Sequence, residues 1–514
     1  MRRRPPRLLA ALLLAVLAGW TPGVAQAPGF QIEVTLDDAL PPQTAGRLLV
    51  VLAPAGGAEP RRWIGRTGRR AAPTLGLDVP AIAPGETVVV DGTAAVFPHA
   101  RVTAISPGEY MAQAVLATNR DLRSPSAPGT LYSDPAPVTL GRGRGGVVRL
   151  TLTRKVPDET LPDDEGQLRF LRIRSDLLSA FHGRPIYLRA GVILPRGFDD
   201  EPARRYPVRV RIGGYGTRYT AVRGLMRPGA AFREAWLAEA SPRMLLIHLD
   251  GAGPYGDPYQ VNSANNGPYG DAITRELIPY VERRFRGLGR PGSRVLDGES
   301  TGGWVSLALQ IFYPDYFGGA WASCPDSVDF RAFQQVDVYD DENAFVDARG
   351  EELASARESD GETRFTMRHE VQMENVLGMG DSWTLSGRQW GAWNAVYGPR
   401  GDDGLPVPLW DPLTGRIDRT VARQWARYDL RRVLEAGWDA LAPRLRGKLN
   451  IWVGERDDYF LEDAVHLLDD WLAGRPGLDA RIEYGAGRGH CWTGITEAEM
   501  LAEMGRRLEG RTAP

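Results

Sequence analysis

The segment Gly298-Glu299-Ser300-Thr301-Gly302-Gly303 constrains the fold of this chain more than any other feature. It has the pattern G-x-S-x-G, it follows the short apolar stretch Val295-Leu296, and it precedes a helix predicted over residues 304–313. So tight a turn between a strand and a helix needs glycine on both sides of the serine, because a Cβ atom there would clash. The turn exposes the serine hydroxyl and aims the positive end of the helix at it, which helps to stabilise a developing oxyanion. We therefore predict that Ser300 is a catalytic nucleophile.

A nucleophilic serine needs a general base and an acid that orients this base. After an elbow of this kind the chain order is serine, acid, histidine. His490 follows the last predicted strand in a glycine-rich loop, whereas His466 lies inside a predicted helix, so His490 is the predicted base. The acid should follow the preceding strand, predicted over residues 449–453. Asp457 is the first candidate for this acid, and Asp458 is its competitor.

Two segments supply candidates for an oxyanion hole, which needs two backbone N–H groups aimed at one point. One N–H group should come from Thr301, directly after the nucleophile. The other should come from the loop Gly213-Gly214-Tyr215-Gly216, which follows the strand predicted over residues 208–212, and we assign it to Tyr215. The alternative for this loop is a glycine turn with no catalytic part.

The first 25 residues have the order of a secretory signal peptide. Four arginines precede an apolar run over residues 8–18, small residues follow, and cleavage is predicted after Ala25. The run is shorter than the roughly 20 residues that span a bilayer, so a membrane anchor is the less favoured alternative and no stable span is expected after processing. We predict a secreted or periplasmic protein.

The rest of the chain divides into two predicted domains. Residues 26–155 alternate short apolar strands with turns and predict a small all-β sandwich of the immunoglobulin-like type. An acidic, proline-containing linker follows over residues 156–167. Residues 168–514 alternate strands and amphipathic helices, which predicts an α/β domain. Within it, the alternation fails over about 325–445, a lid-like insertion with six tryptophans that either pack in its core or line a pocket.

Composition excludes several classes of function. With 62 basic and 64 acidic residues the net charge is −2, so there is no electrostatic case for nucleic-acid binding. Two cysteines cannot form a multi-disulfide scaffold or a four-cysteine zinc site, and we predict no metal site. Cys324 should end the strand after the elbow helix and Cys491 follows His490, so we expect the two to be neighbours, either free or joined by a disulfide.

The domain from residue 168 onward resembles the esterase D-like branch of the α/β-hydrolases, a group of serine esterases that also includes feruloyl esterases, siderophore esterases and mycolyl-type acyltransferases. The resemblance rests on Gly213-Gly214-Tyr215-Gly216, Leu277-Ile278-Pro279-Tyr280-Val281-Glu282, Gly298-Glu299-Ser300-Thr301-Gly302-Gly303, Tyr313-Pro314-Asp315, Gly454-Glu455-Arg456-Asp457 and Gly489-His490. It implies an α/β-hydrolase fold, a Ser300–His490–Asp457 triad and no cofactor.

Together these features predict an exported serine hydrolase that cleaves carboxylic esters through an acyl-serine intermediate. The expected substrate is a small-molecule or glycan-linked ester. The sequence does not define its acyl and alcohol parts, because the long insertion rather than the triad sets them. Three alternatives remain at this stage: an acyltransferase or a peptidase on the same fold, or a glycan-binding protein with a vestigial triad. The sequence does not define the oligomeric state or the role of the β-sandwich.

Overall fold

The structure is a computed structural model, and it describes residues 31–141 and 146–509 of the chain. The predicted signal peptide over residues 1–25 lies outside these residues. No helix in the described ranges is long and apolar enough to cross a membrane.

The N-terminal part consists mainly of β-strands. It is called here the β-domain, and its described residues are 31–141 and 146–155. Its described residues form the strands β1 (Gln31–Leu36), β2 (Gln43–Pro54), β3 (Thr74–Ile82), β4 (Thr87–Val90), β5 (Ala95–Phe97), β6 (Gly108–Ala117), β7 (Leu131–Ser133), β8 (Ala136–Leu140) and β9 (Val147–Lys155). They pair in the order β4-β1-β9-β7-β6-β2-β3-β5, with β8 beside β6. Strands β3 and β4 are joined by residues 83–86 alone, yet they lie near opposite ends of this path. The sheet therefore folds over on itself, and it encloses a core of alternating apolar residues such as Val34, Leu48, Val50, Ala114 and Leu150.

The second part is built on an eight-stranded sheet with the order β10-β11-β13-β12-β16-β17-β20-β21. Its strands, and the short hairpins beside them, are β10 (Leu168–Ser175), β11 (Ile186–Ile193), β12 (Val208–Ile212), β13 (Leu245–Leu249), β14 (Asn262–Ser263), β15 (Gly267–Pro268), β16 (Arg294–Glu299), β17 (Ala320–Ser323), β18 (Ala354–Arg357), β19 (Thr363–Thr366), β20 (Leu449–Gly454) and β21 (Arg481–Gly485). Strand β11 is antiparallel to both β10 and β13, and the remaining neighbours are parallel. The carboxyl ends of the parallel strands therefore meet at one edge, where a site can form.

Helices cover both faces of this sheet. They are α1 (Asp176–His182), α2 (Val222–Leu225), α3 (Ala231–Leu237), α4 (Tyr269–Ala272), α5 (Ile278–Arg284), α6 (Thr301–Phe312), α7 (Met367–Leu377), α8 (Gln389–Tyr397), α9 (Arg419–Trp425), α10 (Leu430–Ala436), α11 (Trp438–Leu445), α12 (Leu461–Ala473) and α13 (Glu497–Glu509). Helices α4 and α5 are joined by a π-helical turn, Ile273–Leu277. The apolar helix α6 lies in the main core, whereas α3 and α13 pack on the other face of the sheet.

The insertion, residues 325–445, leaves the sheet after β17 and returns at β20, its parallel neighbour. Helix α7 of the insertion packs against the outer face of the β-domain. The apolar cluster that they share consists mainly of Leu49, Val51, Phe97 and Val115 from the β-domain with Met373, Val376 and Leu377 from α7. The β-domain therefore supports the insertion rather than standing apart from it.

Candidate active site

Ser300 occupies the turn between β16 and α6. Its φ and ψ angles are 55° and −123°, a strained combination for a residue with a Cβ atom, and it is the residue that directly precedes α6. The turn leaves no room for side chains beside it. A Cβ atom on Gly298 would lie 2.3 Å from the carbonyl oxygen of Gly302, and one on Gly302 would lie 2.1 Å from that of Ile212. The tight turn can therefore form only because Gly298 and Gly302 have no side chain, as the sequence pattern predicted.

His490 lies in the loop after β21, with its imidazole Nδ1 2.8 Å from Oδ2 of Asp457. Asp457 follows β20, and it is completely buried. Its neighbour Asp458 has a different contact, because its Oδ1 accepts a hydrogen bond of 3.3 Å from the backbone N–H of His490. The structure thus places Asp457 where it can orient the ring and Asp458 where it holds the backbone of the same loop.

The electrostatic surroundings of His490 favour its protonated form. Burial lowers the pKa of His490, but the hydrogen bond and charge of Asp457, together with the charges of Asp326 and Asp458, outweigh it and leave the pKa raised. A more basic imidazole is a stronger proton acceptor, and its protonated form is stabilised at the moment when a serine hydroxyl would lose its proton.

Tyr215 and Thr301 belong to two backbone segments that lie close to Ser300. Gly214, which precedes Tyr215, approaches so closely that a Cβ atom on it would lie 3.9 Å from the Ser300 Cβ atom. Two hydrogen bonds fix this loop. The backbone N–H of Gly216 donates to the Asp257 carboxylate at 3.0 Å, and the backbone N–H of Thr217 donates to the Gly214 carbonyl at 3.0 Å. Thr301 is the first residue of α6. The two backbone segments predicted for an oxyanion hole therefore both lie next to the serine.

Ser300 and His490 line the same cavity, whose volume is about 320 Å³. Helix α8 forms one wall of this cavity through Gln389, Trp390 and Trp393. Trp390 and Trp393 are therefore pocket residues, while Trp383, Trp410 and Trp425 are buried in the core of the insertion. The sequence left both roles open for the tryptophans, and the structure contains both.

Asp326 is a site residue that the sequence analysis missed. It is buried, it follows β17 by three residues, and its Oδ1 lies 3.4 Å from Oγ of Ser300, which donates to it. A carboxylate at the carboxyl edge of a parallel strand, next to the strand that carries the nucleophile, was the available signal. Burial raises the pKa of Asp326, against the lowering effect of its hydrogen-bond donors and of His490.

Glu370, which is partly buried, and Glu374, which is fully buried, are two further carboxyl groups of α7 that no sequence pattern indicated. Glu370 lines the pocket and accepts a hydrogen bond of 3.0 Å from the Trp390 indole. Glu374 accepts hydrogen bonds from the backbone N–H groups of Trp390 and Gly391, both at 3.0 Å, and so caps α8. Burial and the nearby Glu370 raise the pKa of Glu374 to about 8. Helix α7 thus anchors the helix that forms the pocket wall.

Cys324 and Cys491 form a disulfide with a Cα–Cα distance of 4.8 Å. It joins the residue after β17 to the residue after His490. Within the described ranges, these two cysteines and His490 are the one group of three or more candidate metal ligands whose ligand atoms lie within 4.8 Å of one another. In a disulfide neither sulfur is available as a thiolate, so this group does not fit a metal centre.

The hairpin β18–β19 of the insertion contacts the loop that contains Asp457 and Asp458 and holds it in place. The Arg357 guanidinium donates to the backbone carbonyl of Asp457 at 2.9 Å, and its backbone N–H donates to that of Asp458 at 2.9 Å. Arg364 forms an ion pair of 3.1 Å with the Asp458 carboxylate. Because Asp458 in turn holds the His490 backbone, the insertion contributes to the position of the proposed base.

Comparison with known proteins relates part of this sequence to a family. Residues 187–429 match the sequence model of a family described as "Putative esterase". This part of the chain is therefore similar to that family. The matched range includes the loop Gly213-Gly214-Tyr215-Gly216, the elbow and most of the insertion, and it supports a carboxylic-ester hydrolase.

Solved structures similar to this esterase have low sequence identity to it. A ferulic acid esterase is 14% identical over 67% of this chain and 100% of its own, with a TM-score of 0.38. An S-formylglutathione hydrolase from Agrobacterium tumefaciens is 12% identical over 66% of this chain and 95% of its own, with a TM-score of 0.37. The fluorophosphonate-binding serine hydrolase FphF of Staphylococcus aureus is 14% identical over 67% of this chain and 99% of its own, with a TM-score of 0.38. No protein with a curated description matches the chain.

Proposed function

We propose that this esterase is an exported serine hydrolase that works through an acyl-Ser300 intermediate. His490 accepts the hydroxyl proton of Ser300 as Oγ attacks the ester carbonyl, and it then gives this proton to the leaving alcohol. The backbone N–H groups of Tyr215 and Thr301 stabilise the oxyanion, and Asp457 orients His490. Water finally releases the acyl group as a carboxylic acid.

The observation that carries this proposal is the convergence of three loops on one cavity. The strained elbow presents Ser300, the loop after β21 presents His490, and both line the cavity while Asp457 lies 2.8 Å behind the imidazole. These are the geometric roles that a nucleophile, a base and an orienting acid require.

The proposal is tested by covalent labelling and by turnover. We expect a fluorophosphonate to modify the wild-type protein at Ser300, and Ser300→Ala to lose both labelling and the hydrolysis of p-nitrophenyl esters with an unchanged thermal midpoint. Ser306→Ala is a matched control, because Ser306 lies on the same helix with its hydroxyl bonded to the Gly302 carbonyl at 2.7 Å. Turnover that persists in Ser300→Ala would refute the assignment.

The cavity indicates which esters fit. Its volume of about 320 Å³ is at the lower end of small-molecule sites, which favours short or single-ring acyl groups over long chains. Among the described lining residues, Glu299, Asp326 and Glu370 carry carboxyl groups and none is lysine or arginine. Esters with an anionic acyl group should therefore be poor substrates. A panel of short acyl, long acyl, feruloyl and succinyl esters measures both preferences through kcat/KM.

Export is supported by the order of residues in the N-terminal segment, and a disulfide beside the active site suits an oxidising compartment. We expect the mature protein to begin at Gln26 and to leave the cytoplasm. Cell fractionation followed by N-terminal sequencing checks this. A full-length chain that stays in the cytoplasm would contradict it.

A further inference from the structure

The Asp326 carboxylate accepts five side-chain hydrogen bonds, and they are divided unequally between its two oxygens. Oδ2 accepts from four donors: the Tyr259 hydroxyl at 2.7 Å, the Trp393 indole at 3.1 Å, the Thr301 hydroxyl at 3.2 Å and the Gln389 amide at 3.4 Å. Oδ1 accepts from Ser300 Oγ at 3.4 Å. The four donors fix the carboxylate, so Oδ1 faces the nucleophile and the cavity that it lines.

We propose that Asp326 is a catalytic residue that orients the hydrolytic water during deacylation, and that it thereby favours hydrolysis over transfer of the acyl group to an alcohol. This inference rests on the proposed function. It differs from that function because the triad alone does not determine which acceptor attacks the acyl-enzyme.

Water and an alcohol differ in the number of protons that each can donate from its oxygen. A serine hydroxyl has one proton, and His490 must receive it during acylation. Once Ser300 is acylated, Oγ has no proton, so Oδ1 of Asp326 loses its donor and becomes a buried acceptor without a partner, which is unfavourable. Water has two protons, so it can donate one to His490 and the other to Asp326. An alcohol has one proton and cannot serve both acceptors.

The step balances without another reactant. The water oxygen bonds to the acyl carbon while His490 takes one water proton. The bond between the acyl carbon and Ser300 Oγ then breaks, and His490 returns the proton to Oγ. The second water proton stays on the product acid, and Asp326 accepts a hydrogen bond from it throughout without being protonated.

Asp326→Asn tests the proposal with little change of shape. The four donors require an acceptor, so the amide oxygen should take the place of Oδ2 and the NH₂ group should face Ser300. The substitution therefore replaces the acceptor near the nucleophile by a donor. We expect hydrolysis of the acyl-enzyme to slow by about 10- to 100-fold, the effect of losing a hydrogen bond to a charged group, and acylation to change much less.

The measurement is the partitioning of the acetyl-enzyme, formed from p-nitrophenyl acetate, between water and added methanol. The ratio of methyl acetate to acetate is independent of which step limits turnover, and it should increase about tenfold or more in the variant. The rate of fluorophosphonate labelling of Ser300 reports separately on the fold and on the nucleophile, and it should be retained.

Glu370→Gln is the matched control. Glu370 is also a carboxyl group of the pocket, partly buried, that accepts a hydrogen bond from a tryptophan indole, but its partners are Trp390 and Ser355 rather than Ser300. It should leave the partitioning ratio unchanged. An unchanged ratio in Asp326→Asn, or equal losses of labelling and deacylation, would overturn the inference. Turnover without Ser300 would instead refute the proposed function.

Discussion

Arg47 joins the β-domain to the insertion, and Arg47→Met should weaken this interface. The side chain is 4% exposed, and it makes three contacts beyond its own strand. Its Nε donates to the Val376 carbonyl near the end of α7 at 3.0 Å. Its other nitrogens pair with Asp78 at 2.9 Å and with Asp381 of the insertion at 2.6 Å. Methionine keeps much of the apolar stem and removes all three polar contacts.

The expected loss of stability follows from the exposure of the partners. A hydrogen bond from a charged group to a buried carbonyl contributes about 1.5–3 kcal/mol. The carboxylates of Asp78 and Asp381 are 40% and 60% exposed, so each ion pair contributes at most about 1 kcal/mol. The free energy of unfolding should therefore fall by about 2–4 kcal/mol, which corresponds to a decrease of roughly 1 M in the urea midpoint.

Tryptophan fluorescence during urea unfolding measures this change, because several tryptophans are buried in the insertion. The esterase activity should be lost at the same or lower urea concentration, since α7 anchors the pocket wall. Arg149→Met is the control: Arg149 is also on a strand of the β-domain, but it is 75% exposed and paired with Glu33. Its effect should stay below about 1 kcal/mol. Equal effects of the two variants would refute the reasoning that the β-domain braces the insertion.

The proposed triad, the disulfide and the elbow each give a further prediction. Because His490 must be neutral to accept a proton and its pKa is raised, activity should increase with pH through a midpoint above about 6.5, the ordinary value. Asp457→Asn should lower kcat by about 10³- to 10⁴-fold and move this midpoint to lower pH; a pH–rate profile with the same midpoint would contradict it. Replacing Cys324 and Cys491 by serine opens a crosslink between positions separated by 167 residues, worth up to about 5 kcal/mol by chain entropy, so the thermal midpoint should fall and activity should decrease with it. A midpoint that is insensitive to both the substitution and a reductant would show that the bond adds no stability. Gly298→Ala should destabilise the protein by at least about 1–3 kcal/mol, because its Cβ atom would meet a backbone oxygen at 2.3 Å; calorimetry that finds wild-type stability would refute this steric argument.

The features predictable from the sequence are those whose chemistry acts over a few residues. The elbow needs its own glycines, and Asp457 and His490 are found by their place after successive strands. The α/β-hydrolase fold and the β-rich N-terminal part were predicted correctly, because strand and helix periods are local signals. The proximity of Cys324 to Cys491 followed from the same logic, since both lie at the carboxyl edge of one parallel sheet.

The interior of the insertion was not predictable in this way. Glu370 reaches the pocket because α7 packs between the β-domain and α8, and this packing joins positions far apart in the chain. Arg47 and Val376, which are 329 residues apart, illustrate the difficulty: neither has a local pattern that indicates the other. Asp326 lay within reach of the strand-edge argument, but its role depends on four donors from three separate segments.

The cluster shared by the β-domain and α7 also limits how such an enzyme can be rebuilt. Moving the insertion alone into another esterase would expose Met373, Val376 and Leu377 to water, and deleting the β-domain would expose them here. The two segments can therefore be exchanged between proteins only as a pair. Recombination that shuffles them independently should produce mostly insoluble chimeras, whereas paired exchange should transfer an intact pocket wall to a new triad.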